Sequence, residues 1–109
     1  MRYLLLICAP ADTEVPESMA QDTDAWIDEM DARGVRLLGQ ELAPVTDATT
    51  VRVRQDDVQL FDGPFAETRE LIAGFDLIDA PDLDAAVAVA SRHPVAAWGA
   101  VEVRPYRQP

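Results

Sequence analysis

Lysine is absent from this sequence of 109 residues, and cysteine and histidine each occur once. The single cysteine, Cys8, cannot form an internal disulfide, which argues against a secreted scaffold and predicts a cytoplasmic protein. The apolar run at residues 3–9 is much shorter than the roughly 20 residues that cross a membrane. It is also a poor signal-peptide core, because it has the minimum length and only one basic residue precedes it.

Motifs for metals and phosphates are missing as well. One histidine, one cysteine and scattered carboxylates do not form a transition-metal site. The sequence has neither a glycine-rich phosphate loop nor a Gly-x-Ser-x-Gly element, which disfavours nucleotide, flavin and serine-hydrolase functions. We therefore expect neither a metal ion nor a cofactor.

Positive charge is scarce. Twenty acidic residues against nine basic ones give a net charge of −11, and all nine basic residues are arginines. No basic cluster compensates this charge locally, so a phosphate backbone would be repelled. We expect no nucleic-acid partner.

The chain has the length of one domain, residues 1–109, with a core that needs no disulfide. Apolar periodicity predicts the order strand, helix, strand, hairpin, strand, helix, strand. The predicted strands are residues 2–8, 35–42, 49–55, 58–61, 71–79 and 98–104, and the predicted helices are residues 16–33 and 83–93.

This order is that of a ferredoxin-like α+β fold, a split βαβ arrangement with both helices on one face of an antiparallel sheet and an inserted hairpin. Asp82 is the expected N-cap of the second helix. Leu83, Ala86, Val87 and Ala90 form its apolar stripe. An aspartate in place of Val87 would then be a buried unpaired charge, so we expect it to unfold the protein.

The sheet face away from the helices mixes apolar and ionisable side chains. Uncovered apolar surface favours association, so we expect a homodimer in which two sheets pair face to face around a partly polar cavity. The arginines there favour a small anionic ligand and would stabilise an enolate-like charge. The predicted lining residues are Arg52, Arg54, Asp76, Glu102 and Arg104.

Two segments carry a family resemblance. Residues 62–70 read Asp-Gly-Pro-Phe-Ala-Glu-Thr-Arg-Glu and are followed by Gly74-Phe75, and residues 101–105 read Val-Glu-Val-Arg-Pro. With the opening residues 2–6, they resemble the DGPF-type proteins of the YCII-related family over essentially the whole chain. The resemblance implies a dimeric α/β barrel and, for some members, association with an extracytoplasmic-function sigma factor. Related barrels include lactone isomerases and monooxygenases that need no cofactor.

The wider family resembles an enzyme with a His-Asp pair, and this chain departs from that pattern. His93-Pro94-Val95 stands where the resemblance implies an Asp-Pro-Phe turn, and the first helix offers Asp22 and Asp24 in place of a histidine. Two interpretations are open. Either Asp22 or Asp24 orients His93 in an exchanged dyad, or the chemistry has been lost. A dyad would raise the pKa of His93 above about 6.5.

Ionisable groups near the turns have structural explanations too. His93 suits proton transfer near neutral pH, but a histidine at a helix C-terminus also stabilises the helix dipole. Asp62 would present a carboxylate at the cavity or serve only the turn chemistry of its segment. Glu67 makes the same loop rich in charge. We expect packing roles for Cys8, Trp26 and Trp98.

Two functions from different classes fit these observations. The first is a cofactor-independent enzyme or small-molecule binder, with its site in the cavity between the sheets and His93 or Asp62 at the mouth. The alternative is a non-catalytic interaction module that meets a sigma factor or another transcription regulator through its acidic helical face.

Overall fold

The computed structural model describes residues 1–64 and 70–108. Its elements are β1 (Arg2–Pro10), α1 (Met19–Ala32), β2 (Arg36–Glu41), β3 (Thr49–Arg54), β4 (Asp57–Asp62), β5 (Glu70–Asp79), α2 (Leu83–Ser91), α3 (Val95–Trp98) and β6 (Ala100–Pro105). Four strands form one sheet in the order β2-β5-β1-β6, with every neighbouring pair antiparallel, and β3 pairs with β4 in a separate hairpin. The predicted mixed α+β class with antiparallel pairing is confirmed, and the order is compatible with a ferredoxin-like fold.

The central strand β1 sets which sheet face is covered. Tyr3, Leu5 and Ile7 are buried in one cluster with α1 and α2, because alternate residues of a strand point to the same side. Ile78 pairs with Tyr3 and Asp76 pairs with Leu5 across the β1–β5 ladder. Asp76 therefore lies on the helix-covered face of the sheet.

The two longer helices are joined through a buried tryptophan. The Trp26 Nε1–H of α1 donates to the carbonyl oxygen of Val89 in α2 at 3.1 Å. At the start of α2, Asp82 accepts a hydrogen bond from the Ala85 backbone N–H at 2.8 Å, which confirms its N-cap role. The helix α1 begins at Met19, three residues later than Pro16, because the Met19 N–H bonds to the Pro16 carbonyl in a preceding turn.

Two of the four residues in the predicted apolar stripe of α2 are buried and two are not. Ala86 and Ala90 are buried, but Leu83 and Val87 are 53% and 48% exposed, and Val89 takes their place in the core. The helix is rotated so that positions 86, 89 and 90 face the sheet, which is the ordinary i, i+3, i+4 spacing of one helical face. Val87 is therefore not the buried position that the predicted unfolding by an aspartate requires.

The short helix α3 replaces the predicted loop before the last strand. Pro94 precedes it, and the backbone N–H of Gly99 bonds to the Val95 carbonyl oxygen at 2.6 Å. A side chain at Gly99 would collide with the carbonyl oxygen of Cys8, so the glycine permits this close approach to β1. The last strand consequently starts at Ala100.

The hairpin stands apart from the helix-covered sheet. Its two-residue turn is Gln55-Asp56, one residue earlier than the turn at 56–57 that the predicted strands 49–55 and 58–61 imply. Both turn residues have positive φ (50° and 64°), as a type I′ turn requires. One hairpin face carries Val51, Val53, Val58 and Leu60, each more than half exposed. None of the helices in the described ranges is long and apolar enough to cross a membrane.

Candidate functional site

A cavity of about 530 Å³ lies between α1 and the helix-covered face of the sheet, closed at one side by α3. Most of its wall is apolar, from β1, α1, β5 and α3. A small number of polar side chains interrupts this wall, which is the usual composition of a small-molecule site. The polar side chains of this lining are those of Thr23, Asp24, Arg36, Glu41, Asp76 and His93.

Asp76 and Arg36 form an ion pair in the cavity floor. Arg36 Nε donates to Asp76 Oδ1 at 2.7 Å, and its Nη1 donates to Asp31 Oδ1 at 3.3 Å. Arg36 pairs with Ile78 across the β2–β5 ladder, and Ile78 and Asp76 are alternate residues of β5 that point to the same sheet face. The side chains of Arg36 and Asp76 are therefore close enough to pair. Burial raises the pKa of Asp76, and the Arg36 guanidinium counteracts part of that rise.

Gly39 provides the space for this ion pair. Gly39 is the register partner of Asp76, and a Cβ at position 39 would collide with Asp76 Oδ1 and with the Arg36 guanidinium. An isolated glycine within a strand often marks such a close approach. The two charged side chains therefore depend on a residue with no side chain at the neighbouring strand position.

His93 is buried at the end of α2, and its ring lies 4.7 Å from the Trp26 ring, centroid to centroid. The backbone N–H of Val95 donates to His93 Nδ1 at 3.0 Å. Burial lowers the pKa of His93 to about 4, so the imidazole is neutral near pH 7. Since Nδ1 accepts a hydrogen bond, the hydrogen of the neutral ring is on Nε2.

The proposed rise in the pKa of His93 is therefore wrong. Asp24 lines the same cavity as His93, but no hydrogen bond joins the two side chains, and Asp22 does not line the cavity. Asp22 and Asp24 are both exposed on α1. The neighbour of the imidazole is an indole ring and not a carboxylate, which is why desolvation controls its pKa.

The other predicted site residues are distributed over different surfaces. Glu102 and Arg104 form an ion pair at 3.1 Å on the open face of the sheet, opposite to Asp76, because they pair with Leu6 and Leu4 of β1. Arg52 and Arg54 belong to β3, and Asp62 is exposed at the end of β4. Within one chain, the structure does not bring these residues to the cavity of Asp76. Glu67 lies outside the described residues.

Sequence reasoning missed Arg36, Gly39 and Glu41 as site residues and assigned Trp98 to packing. A signal was present for Gly39, since an isolated glycine inside a strand pattern suggests a bulge or a close approach. Arg36 had no such signal, because its role depends on the strand pairing with Asp76. The indole nitrogen of Trp98 is enclosed in the cavity wall with no acceptor among the described residues.

The arrangement offers a neutral N–H donor and carboxylate groups around an apolar volume. The single arginine of the described lining is already bonded to two carboxylates. No group of three His, Cys, Asp or Glu side chains within residues 1–64 and 70–108 could hold a metal ion. The chemistry that these groups supply is hydrogen bonding and proton transfer.

Comparison with known proteins confirms the wider family of the resemblance. A model of the YCII-related domain family matches residues 1–108. An uncharacterised protein of Rhizobium meliloti (strain 1021) is 37% identical over an alignment of 102 positions, and the match covers 76% of this chain and 81% of that protein.

Proposed function

The chain belongs to the YCII-related family, and from this premise we propose that it binds a small organic molecule in the cavity between α1 and the sheet. The observation that carries the proposal is the position of His93. This side chain is only 3% exposed, it lines the cavity, and its Nε2–H has no acceptor among the described residues. The Nε2–H is therefore a donor that the cavity leaves available, and an acceptor atom of a ligand could bond to it.

The same cavity suits proton transfer without a cofactor. Asp24 is the side chain that we assign as proton acceptor, because it is an exposed carboxylate at the cavity that makes no ion pair with any residue of 1–64 and 70–108. His93 supplies a neutral hydrogen-bond donor to charge that develops on the ligand. Asp76 and Arg36 hold the floor of the site through their ion pair.

The test is a fragment screen by NMR on the ¹⁵N-labelled protein. Fragments that bind the cavity will shift the ring resonances of His93, which are unambiguous because the chain has one histidine. Asp24→Asn should change the affinity of these fragments, whereas Asp22→Asn, two residues away on the same helix but outside the cavity, should not. Fragments that bind and shift Leu4 and Leu6 of the open face, with His93 unmoved, would contradict the proposed site.

A homodimer and the DGPF subgroup are part of the proposal. The motif at residues 62–65 supports the subgroup. The accessible surface of 7760 Å² exceeds the roughly 6,000 Å² expected for a monomer of this mass, and the excess is more than the roughly 800 Å² that one partner loses in a standard interface. The open sheet face includes the half-exposed Leu38 and Ile72. We propose that it pairs with a second copy, giving a dimeric barrel.

The inter-sheet space of that dimer is a second candidate site. Glu102 and Arg104 lie on the open face of the four-stranded sheet, so dimerisation would enclose them. Such a space would take the small anionic ligand predicted from its arginines. Sedimentation equilibrium at micromolar concentration tests the dimer, and a single 12.0 kDa species would contradict it.

An interaction module is the competing function. The exposed carboxylates of Asp22, Asp24 and Asp28 on α1 make no ion pair within the part of the chain that the structure describes, so they leave an acidic surface for a basic partner such as a region of a sigma factor. This surface and the single cysteine are consistent with the cytoplasmic location that we propose. The binding of such a partner should weaken steeply with salt and should be insensitive to His93→Phe.

A further inference from the structure

The polar groups of the cavity also define what kind of molecule fits, an inference that rests on the proposed function of this cavity. His93 is held by its own backbone. The Val95 N–H occupies Nδ1, and the indole of Trp26 lies against the ring at 4.7 Å. The ring is thereby fixed with Nε2–H as its remaining polar atom, and an N–H group bonds an acceptor and not a second donor.

The acceptor for His93 Nε2–H is supplied by the contents of the cavity, which are water in the free protein and a ligand atom in the complex. Trp26, the buried neighbour of His93, has its own N–H satisfied by the Val89 carbonyl oxygen. His93 Nε2–H has no such partner among the described side chains and carbonyl groups. A ligand oxygen is the simplest group to complete the pair.

The charges around the cavity select against an anion. Asp24 and Glu41 are exposed at its edge, and Asp76 lies in its floor. Arg36, the cation of the described lining, already contacts Asp76 at 2.7 Å and Asp31 at 3.3 Å. A carboxylate ligand would leave water without meeting an uncommitted cation, and it would meet like charges at the edge.

The remaining wall accepts an apolar body. Ile7, Met19, Ile27 and Val95 contribute apolar side chains to it. We propose that the ligand is an uncharged molecule with a carbonyl-type oxygen on an apolar body, and that His93 donates its Nε2–H to that oxygen. His93 is then a neutral donor, in contrast to the general base that its type first suggests.

Three probes of matched shape test this proposal. Acetophenone carries a carbonyl oxygen, α-methylstyrene has a CH₂ group at the same position, and benzoate carries a charge. Their dissociation constants are measured from NMR shifts of the wild-type protein. Acetophenone should bind about 5-fold more tightly than α-methylstyrene, because one net hydrogen bond contributes about 1 kcal/mol. Benzoate should be weaker than acetophenone by about 10-fold or more.

Two variants and one control test whether His93 and Glu41 cause these differences in affinity. His93→Phe keeps a ring but removes the donor, so acetophenone and α-methylstyrene should bind it equally. Glu41→Gln should improve benzoate binding about 2-fold by removing one like charge. Asp22→Asn removes an equal charge outside the cavity and should have no effect on benzoate.

The outcomes separate this inference from the proposed site. Equal wild-type affinities for acetophenone and α-methylstyrene, with His93 shifted by both, would overturn the donor role while the cavity remains the site. Benzoate binding at His93 as tightly as acetophenone would overturn the exclusion of anions. If none of the three probes shifts His93 at its solubility limit, the proposed function itself fails.

Discussion

The four-stranded sheet and the β3–β4 hairpin use the same kind of sequence with opposite results. In the sheet, alternate residues such as Leu5 and Ile78 are completely buried beneath the helices. In the hairpin, Val51 and Leu60 alternate just as regularly and are 62% and 66% exposed. Alternation therefore defines an apolar face, but only a neighbouring layer from the chain or from a partner determines whether that face is covered.

Among truncations to alanine, the largest expected difference is between one core residue and one hairpin residue. Leu5→Ala removes a fully buried side chain and should lower the free energy of unfolding by about 4 kcal/mol. Val53→Ala, at a position 54% exposed, should lower it by less than about 0.5 kcal/mol. Urea denaturation of both variants at one protein concentration measures the difference. Similar losses would mean that the hairpin face is buried in solution.

The pH dependence of stability depends on the buried His93. Burial lowers its pKa to about 4 in the folded protein, and the unfolded value is about 6.5. The unfolded chain thus binds a proton between these values that the folded chain does not. Stability is complete above about pH 6.5 and decreases as the pH falls to about 4, by at most about 3 kcal/mol.

His93→Phe isolates this contribution from the carboxylates that titrate in the same range. Urea denaturation of the wild type and the variant between pH 7 and pH 4 gives the two slopes. The variant should lose less stability over this interval. Parallel curves would show that His93 does not change its protonation preference on folding.

Substitutions at Gly39 and Gly63 test two different reasons for a glycine, which are lack of space at Gly39 and backbone conformation at Gly63. Gly39→Ala places a methyl group against the Arg36–Asp76 ion pair in the sheet and should cost about 2 kcal/mol. Gly63, after the hairpin, has no atom of the described residues within 4 Å of such a methyl group but has a φ of 99°, so Gly63→Ala should cost only about 1 kcal/mol. Thermal unfolding ranks the two, and the reverse order would contradict the tight contact at Gly39.

The smallest expected effect concerns α2. Val87 is 48% exposed, so Val87→Asp should change the free energy of unfolding by about 0.5 kcal/mol or less. Ala86→Asp is the matched control, because Ala86 has no exposed surface and an aspartate there should prevent folding. Circular dichroism of both variants tests the assigned helix face. Unfolding of the Val87 variant would restore the stripe predicted from periodicity.

Periodicity and turn chemistry predicted most elements of the fold. Local signals were sufficient for three features, because each depends on neighbouring residues alone. These are the unbroken apolar run of β1, the N-cap at Asp82 and the hairpin at residues 49–62. The face of α2 was not, since Leu83 and Val87 form as regular a stripe as Ala86 and Val89. Only the packed sheet distinguishes them.

The candidate site was only partly predictable, because the sequence indicates ionisable residues but not which of them the strand pairing brings together. Asp24 and His93 were selected as ionisable groups, and both line the cavity beneath the helices. Asp76 lines it as well, but the prediction placed Asp76 on the sheet face away from the helices, and its pairing with Leu5 shows that this placement was wrong. Their grouping with Arg52, Glu102 or Arg104 does not occur in one chain. Arg36 and Gly39 reach Asp76 through strand pairing across 36 residues or more of sequence, which no local pattern encodes.

The contact between Trp26 and His93 gives the protein an intrinsic optical reporter. An indole whose neighbour is an imidazole loses emission when that imidazole becomes charged, because imidazolium quenches the excited state of tryptophan. Trp26 lies 4.7 Å from His93, and the second tryptophan, Trp98, is part of the cavity wall. The fluorescence of the unlabelled chain should therefore follow both the protonation of His93 and the occupation of the cavity.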